Sequence, residues 1–249
     1  MRKPRSRLRK AAPSHEEEIL YGAHAVTAAL RNPARKLRRL YAAQPVRGDI
    51  SALAAKRRVP VEPLAARRGA NNIAHQGVML VCAPLPQPDL AKLMRGARCL
   101  VALDQLTDGR NVGAVLRSAA YFGADGVLVP QRRSAQSSGA LAKAASGALE
   151  AVPLVSVPNL AHTLHRLRAA GWHVLGLEAR AEQSLSASPP KTRLVCVLGS
   201  EDKGLTSAVR QECDIVQRLG SAASAAIPSL NVSAAAAIVL HTLLAERTP

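Results

Sequence analysis

The chain has 249 residues, in which 34 lysine and arginine residues stand against 17 aspartate and glutamate residues, a formal net charge of +17. This length accommodates one large or two modest domains with sizeable cores. The positive excess favours a polyanion as partner, most simply nucleic acid, and an acidic small-molecule substrate would not require it. Because aromatic residues are only 2% of the chain, we expect RNA to be held through its phosphates more than by base stacking.

The composition indicates neither a membrane protein nor a metalloprotein. No apolar run reaches the roughly 20 residues that cross a bilayer, and no secretory leader is recognisable. The four cysteines lack the C-x-x-C spacing and the seven histidines are scattered, so we expect no metal site. Three of the cysteines lie in apolar runs, which predicts buried free thiols in a reducing compartment.

Residues 1–16 form a basic segment, with six lysine or arginine residues before the first acidic one. This pattern predicts a disordered arm that binds phosphate without sequence preference. A mitochondrial transit peptide is an alternative, because it is also rich in arginine and poor in acidic residues. Pro4 and Pro13 bracket a stretch with little amphipathicity, so we expect the cytoplasm in preference to the mitochondrial matrix.

Residues 17–84 are predicted to form a small α/β domain. The pattern predicts helices at 21–30 and 49–57 and strands at 37–43, 59–61 and 76–83. This domain has no cluster of titratable groups, and its basic residues indicate an RNA-binding module, with a merely solvated surface as the alternative. The residues that we expect to contact RNA here are Arg31, Arg35, Arg38 and Arg39.

Residues 85–97 are predicted to link this domain to a second one at 98–249, because three prolines at 84, 86 and 88 keep the chain extended. A short helix is expected at 89–95. The second domain then alternates, with strands predicted at 99–103, 126–129, 151–157, 173–177, 194–198 and 215–219. Helices are predicted at 112–122, 139–149, 160–169, 207–212 and 232–245. This alternation predicts an α/β fold with a parallel sheet covered by helices.

Polar residues follow the first strand of this domain. Asn111 is a plausible N-cap for the next helix, and Arg117 lies at the edge of that helix's apolar stripe. We expect Asn111, Gly113 and Arg117 to converge at the mouth of the strand–loop–helix unit, where open α/β sheets bind ligands. A solvated arginine on an ordinary helix is the alternative. A dinucleotide site is disfavoured, since Gly109 and Gly113 do not fit G-x-G-x-x-G.

Two further stretches place polar groups at strand ends. The strand at 194–198 runs directly into Gly199, and it leaves Glu201 and Lys203 at the carboxyl end of the sheet. Ser229 and Asn231 precede an alanine-rich helix, whose N-terminus favours an anionic ligand. A polar turn or simple helix capping explains each stretch alone, but three such stretches on one sheet favour a common site.

These stretches resemble a known family. In order, they read Asn111-x-Gly113-x-x-x-Arg117-x-Ala119, Leu198-Gly199-Ser200-Glu201-x-x-Gly204 and Ser229-Leu230-Asn231-Val232-Ser233. They are similar to the three motifs of the SpoU/TrmH family of S-adenosylmethionine-dependent RNA ribose 2′-O-methyltransferases. Tyr21-Gly22-Ala23-His24 and His75-Gln76-Gly77-Val78 resemble that family's substrate-binding domain, which has a ribosomal-protein-L30-like fold.

The resemblance implies S-adenosyl-L-methionine as cofactor, a C-terminal trefoil knot, a homodimer and structured RNA as substrate, most similar to the enzymes that act on large-subunit ribosomal RNA. It implies that Arg117 is the catalytic arginine with Asn111 as its companion, and that Glu201, Ser229 and Asn231 surround the reacting ribose. The implied cofactor-binding residues are Leu198, Gly199, Leu219, Ile227 and Leu230. Arg110 and Lys203 join the expected RNA contacts.

The chain departs from the family at one place. The family has Ile-Pro-Met some eight residues before Ser-Leu-Asn, where it lines the adenine of the cofactor. Here Ser221-Ala222-Ala223 stands at that position, and an Ile227-Pro228 pair directly precedes Ser229. Either this loop is rearranged or the adenine pocket is looser.

The expected reaction requires a ribose 2′-hydroxyl to lose its proton as it attacks a sulfonium methyl group. The three motifs contain no histidine or cysteine, so the proton acceptor is Arg117, Glu201 or water. Proposals for the family make the arginine the base, but a guanidinium is normally permanently charged. We therefore expect Arg117 to hold the adjacent phosphate and to stabilise the developing alkoxide.

Two other functions stay open at this point. One is the same reaction on transfer RNA, which the motifs do not exclude. The other is a non-catalytic RNA-binding ribosome-assembly factor, which the altered adenine wall favours and the intact Asn111, Arg117, Glu201 and Asn231 oppose.

Overall fold

The structure is a computed structural model that describes residues 17–67, 74–131, 139–185, 193–201, 203–220 and 229–244. The predicted basic arm at 1–16 and residues 221–228, which include Ile227, lie outside these residues. The described chain forms two sheets, one in each predicted domain.

The N-terminal domain is a four-stranded sheet with two helices. Its elements are β1 (Glu18–Tyr21), α1 (Ala23–Arg31), β2 (Leu37–Ala42), α2 (Gly48–Lys56), β3 (Val61–Pro63) and β4 (Val78–Cys82). The strand order is β1-β4-β2-β3, in which β4 is antiparallel to both of its neighbours and β3 is parallel to β2. The sequence did not predict β1. Gly22, at φ 91°, ends that strand and lets α1 begin one residue later.

The second domain is built on a seven-stranded sheet. Its elements are α3 (Leu90–Gly96), β5 (Cys99–Leu103), α4 (Gly109–Phe122), β6 (Gly126–Pro130), α5 (Gly139–Ala145), a 3-10 turn (Ala148–Glu150), β7 (Leu154–Val157), α6 (Leu160–Ala169), β8 (Trp172–Leu177), β9 (Gln183–Ser184), β10 (Arg193–Leu198), α7 (Ser207–Gln211), β11 (Ile215–Arg218) and α8 (Val232–Leu244). The order is β7-β6-β5-β10-β8-β11-β9, and every pair of neighbours is parallel.

The predicted parallel sheet is therefore confirmed. Both faces are covered, since one apolar cluster contains α4, α5 and α8 and a second contains α6 and α7. The strand β10 lies between β5 and β8 although it follows both in the chain, so its carboxyl end is brought beside that of β5. The trefoil knot stays a prediction.

A buried ionic contact joins the two domains. The Arg35 guanidinium donates to Glu18 at 2.8 Å in its own domain and to Glu150 at 2.5 Å in the other. Asn32 Nδ2 also donates to Glu150, at 2.6 Å. Burial opposes the charge of Arg35, but the hydrogen bond and the charge of Glu150 raise the pKa of Arg35 above its usual value. The expectation that Arg35 contacts RNA is wrong, because its side chain is buried between two carboxylates.

The cysteines are free thiols. Cys82, Cys99 and Cys196 are buried, as predicted, and Cys213 is half-buried. Burial raises the pKa of Cys82 to about 12, so its thiol is protonated at neutral pH. Within the described ranges, no three histidine, cysteine or acidic side chains are grouped as metal ligands.

No helix in the described part of the chain combines the length and the apolar character of a membrane span.

Candidate active site

The turn between β5 and α4 sets the direction of the first motif. Asp108 is the N-cap of α4, because its carboxylate accepts the backbone N–H of Arg110 at 2.9 Å. That backbone bond and the Arg110 side chain lower the pKa of Asp108. The prediction of Asn111 as the cap is wrong, since the helix begins at Gly109. Asn111 lies in the first turn, where its amide is available to neighbouring elements.

Side chains from all three motifs meet at one carboxylate. Asn231 Nδ2 donates to Glu201 Oε1 at 2.7 Å and to Asn111 Oδ1 at 3.3 Å. Asn111 Nδ2 lies 3.5 Å from the same Glu201 oxygen. These residues are 30 to 120 positions apart in the chain. We refer to Asn111, Glu201 and Asn231 as the polar cluster.

A tight turn after β10 presents Glu201. The backbones of Ser200 and Gly204 pair with each other, and Gly204 has φ 65°. A Cβ on Gly199 would lie 2.3 Å from the carbonyl carbon of Gly204. Gly199 is therefore required by the close approach of this chain's own backbone, and that turn aims Glu201 at Asn231.

Two acidic side chains that the sequence analysis missed hold the far end of this turn. Asp104, buried directly after β5, accepts the backbone N–H and the hydroxyl of Thr206 at 2.7 and 2.8 Å. Glu178 accepts the backbone N–H of Leu205 and pairs with Arg210. An acidic residue at the end of a fully apolar strand was the available signal for Asp104.

The start of α8 is held from two sides. Glu201 Oε1 accepts the backbone N–H of Val232 at 2.9 Å, and Asn231 Oδ1 accepts that of Ser233 at 3.0 Å. A carboxylate at a helix N-terminus is also favoured by the helix dipole. Asn231 thus caps α8 with its side-chain oxygen and binds the polar cluster with its side-chain nitrogen. Ser229 is half-buried, and in the described structure it is not hydrogen-bonded to the polar cluster.

Arg117 does not join the polar cluster of its own chain. It follows Asn111 by six helical residues, which places it about 9 Å along the axis and about 120° round. The side chain is exposed, and its Nη1 donates to Ser146 Oγ at 3.3 Å. The expected convergence of Arg117 with Asn111 is therefore wrong within one chain.

Gly113 also does not face a ligand. A Cβ at this position would lie 2.4 Å from the carbonyl oxygen of Leu141 and 2.8 Å from Ala144 Cβ. The glycine instead lets α4 approach the backbone of α5.

The expected cofactor residues lie at the carboxyl ends of β10 and β11 and at the start of α8. Leu198 is buried, Leu219 is half-buried and Leu230 is 48% exposed. Leu230 directly precedes Asn231, which is bonded to the Glu201 carboxylate, and an exposed apolar side chain near a carboxylate fits a ligand that is partly apolar and positively charged. Ile227 lies outside the described residues.

The other expected RNA contacts are exposed and mostly paired with acidic residues. Arg38 lies 2.6 Å from Glu17, and Arg39 lies 3.1 Å from Glu62. Such exposed pairs are weak, so a phosphate can replace the carboxylate. The remaining three, Arg31, Arg110 and Lys203, are exposed as well.

Two solved structures have the same fold as this chain. The SpoU methyltransferase AviRb from Streptomyces viridochromogenes, in complex with the cofactor AdoMet, superposes with a TM-score of 0.76 at 23% identity, covering 93% of this chain and 91% of that one. The AdoMet-bound rRNA methyltransferase from Sinorhizobium meliloti superposes with a TM-score of 0.71 at 20% identity, covering 94% and 89%.

Sequence comparison identifies the family. The model of RNA 2'-O ribose methyltransferase substrate binding matches residues 19–88, and that of the SpoU rRNA Methylase family matches residues 98–241. The 23S rRNA (guanosine-2'-O-)-methyltransferase RlmB of Pseudomonas aeruginosa is 37% identical over 245 residues, covering 93% of this chain and 98% of that relative. With its three motifs assembled on this fold, the chain belongs to the SpoU rRNA methylase family.

Proposed function

We propose that this protein transfers a methyl group from S-adenosylmethionine to the ribose 2′-hydroxyl of a guanosine in 23S ribosomal RNA. The observation that carries the proposal is the polar cluster. The side-chain amides of Asn111 and Asn231, from two motifs, are bonded to the carboxylate of Glu201, from the third. The substrate is supported by the 37% identity, over nearly the full length, to an enzyme named for that reaction. We place this activity in the cytoplasm.

The cofactor, when bound, supplies a methyl group on a positively charged sulfur. Leu198, Gly199, Leu219 and Leu230 would hold it at the carboxyl edge of the sheet. Leu230 offers apolar surface, and Glu201 offers a negative charge that matches a sulfonium. Both are exposed in the structure.

The polar cluster then orients the sugar and removes a proton. Glu201 Oε1 already accepts from Asn231 and from the backbone of Val232. No described group hydrogen-bonds its other oxygen, so Oε2 is the atom that we assign to accept the hydroxyl proton, directly or through a water. General-base catalysis of this kind contributes about 10² to 10⁴ in rate.

Arg117 is assigned to the phosphate next to the reacting ribose and to the developing alkoxide. Because it faces away from its own polar cluster, we infer that it serves the cluster of a second copy of this chain. The outward face of α4 supports this assignment. Arg117 and Tyr121 are one turn apart on that face, and Tyr121 is 83% exposed.

The same exposed face continues onto α8, which packs against α4. Ile238 is 46% exposed, and His241 contacts Phe122, which in turn contacts Tyr121. Large aromatic and aliphatic side chains exposed together mark an interaction surface. We propose that a second copy covers Tyr121 and Ile238 in a symmetric dimer.

The test is methyl transfer from labelled S-adenosylmethionine to 23S ribosomal RNA lacking the modification, with the modified nucleotide mapped. The N231A variant is expected to lose the activity, because it removes the donor that bonds Glu201 and Asn111. E212Q is the matched control, since Glu212 is an acidic residue of the same domain that pairs with His165 and Arg168 away from the cluster. Methylation of transfer RNA alone, or no binding of S-adenosylmethionine with RNA present, would contradict the proposal.

A further inference from the structure

A strained turn separates Arg117 from the N-terminal domain. Ser146 and Gly147 follow α5 with φ of 50° and 98°, and the 3-10 turn Ala148–Glu150 begins directly after them. A left-handed serine is uncommon, because its Cβ crowds the backbone. Strained residues of this kind persist where surrounding contacts hold them, and they cluster at functional sites.

The N-terminal domain supplies contacts that hold this turn. A Cβ on Gly147 would lie 2.8 Å from Ala28 Cβ, so α1 packs directly on the turn. Three residues further on, Glu150 binds the buried Arg35 and Asn32. The turn thus has its conformation set by the docked N-terminal domain, which the family match identifies with substrate binding.

The opposite side of the turn contacts Arg117. Ser146 Oγ accepts a hydrogen bond from Arg117 Nη1 at 3.3 Å. Within the described residues, this is the only hydrogen bond that the Arg117 side chain makes. A long exposed arginine otherwise samples many rotamers, and ordering it opposes binding. The bond restricts those rotamers and leaves Nε and Nη2 to donate to a phosphate.

We propose that Ser146 is a positioning residue for Arg117, and that docking of the N-terminal domain fixes Ser146 for this task. The inference rests on the proposed function, in which Arg117 acts on the RNA. Ser146 does not itself touch the substrate. It connects the domain that binds RNA to the guanidinium that stabilises the reacting group.

Three substitutions of Ser146 distinguish the effect of its hydroxyl from the effect of its strained backbone. S146G accepts the left-handed conformation and removes the hydroxyl, whereas S146A removes the hydroxyl and keeps a side chain. S146N tolerates the conformation and retains a side-chain oxygen acceptor. S118A is the matched control, because the hydroxyl of the neighbouring Ser118 donates within its own helix, to Ala114 O.

The measurements are kcat and the KM values for RNA and S-adenosylmethionine, with thermal unfolding to verify the fold. S146G and S146A are expected to lower kcat about tenfold, the effect of losing a hydrogen bond to a charged group, with both KM values little changed. S146N is expected to recover most of kcat, and S118A to equal the wild type. E150Q, which weakens domain docking, is expected to lower kcat in the wild type but not further in S146G.

The result that would overturn the inference is a wild-type or higher kcat in both S146G and S146A. A loss in S146N equal to that in S146G would overturn it too, because an oxygen acceptor at position 146 would then not restore kcat. An additive effect of E150Q in S146G would remove the role of domain docking. A wild-type protein that transfers no methyl group would instead overturn the proposed function, and this inference with it.

Discussion

The first turn of α4 and its second half differ in the residues that their side chains contact. At its first turn, Asn111 is bonded to Asn231 and Glu201 of the same chain. About two turns later, the side chains of Arg117 and Tyr121 are exposed. Among the described residues, Arg117 hydrogen-bonds only Ser146. A single motif thus carries one residue that is bonded to the polar cluster and one that, in the described structure, is not.

The comparison shows what a motif spacing does and does not specify. A six-residue separation on a helix fixes a rotation of about 120° between the two side chains. It therefore disfavours a common target for the two side chains within one chain. This geometry supports the proposal that the site is shared between two copies.

The most direct test of the difference between Asn111 and Arg117 uses heterodimers made of two variant chains. R117A and N231A homodimers are each expected to lose activity at least about 10²-fold, since each removes a preorganised polar contact at the reaction centre. If Arg117 serves the partner's cluster, a purified heterodimer of the two variants keeps one intact site and about half of the wild-type activity. Methyl transfer by dual-tagged, isolated heterodimers is the measurement.

The mirror-image heterodimer is the control. It pairs a wild-type chain with a chain that carries both R117A and N231A. Under the same arrangement both of its sites contain one substitution, so it is expected to be inactive. An active control together with an inactive R117A/N231A heterodimer would place Arg117 and Asn231 in one chain and contradict the shared site.

The second test removes the partner. Y121E puts a charge on the 83% exposed tyrosine of the proposed interface, and burying an unpaired charge there is unfavourable. The protein is expected to sediment as a monomer with its fold intact and its methyl transfer lost. V61E is the matched control, because Val61 is 43% exposed on β3 of the N-terminal domain. A dimeric and active Y121E protein would show that the interface lies elsewhere.

The sequence predicted the sheet well because its strands are apolar runs. All five residues of β5 are buried, as are five of the six residues of β10, and such runs are recognisable without a structure. The two residues of β9 are exposed glutamine and serine, which carry no such pattern. In the seven-stranded sheet, propensity and periodicity therefore found the core strands and missed β9, which only backbone pairing defines.

The three motifs predicted a common site, but they did not predict that Arg117 lies apart from the polar cluster of its own chain. The three motifs named Asn111, Glu201 and Asn231, and the structure brings them together. Arg35 was assigned to RNA from charge alone, because its carboxylate partners lie 17 and 115 positions away in the chain. Ser146 belongs to none of the three motifs, and its proposed role depends on a backbone angle that the sequence does not reveal.

The contact between the two domains lies within one chain, whereas the Tyr121 face is proposed to bind a second copy. We therefore expect substitutions at the domain contact to change the stability of the chain and not its association. R35A leaves two largely buried carboxylates without the cation that pairs with both, and breaking a buried pair costs about 3–5 kcal/mol. We expect this loss in the free energy of urea unfolding, independent of protein concentration. R47A is the control, since Arg47 pairs with Asp49 at an exposed site, where the effect is about 0–1 kcal/mol. Equal losses in the two variants would contradict the buried ionic contact.

A thiol beside the same junction gives a smaller, pH-dependent effect. Burial raises the pKa of Cys82 to about 12 from an ordinary value of 9.0. Above pH 9 the unfolded chain therefore loses this proton before the folded chain does, so stability is full below pH 9 and falls as the pH rises towards 12. C82A should reduce this decline in urea unfolding between pH 8 and 10.5, and the native Cys82 thiol should resist alkylation at pH 8. Rapid alkylation of folded protein, or an unchanged pH dependence in C82A, would show that the thiol is more accessible than its place in β4, between β1 and β2, implies.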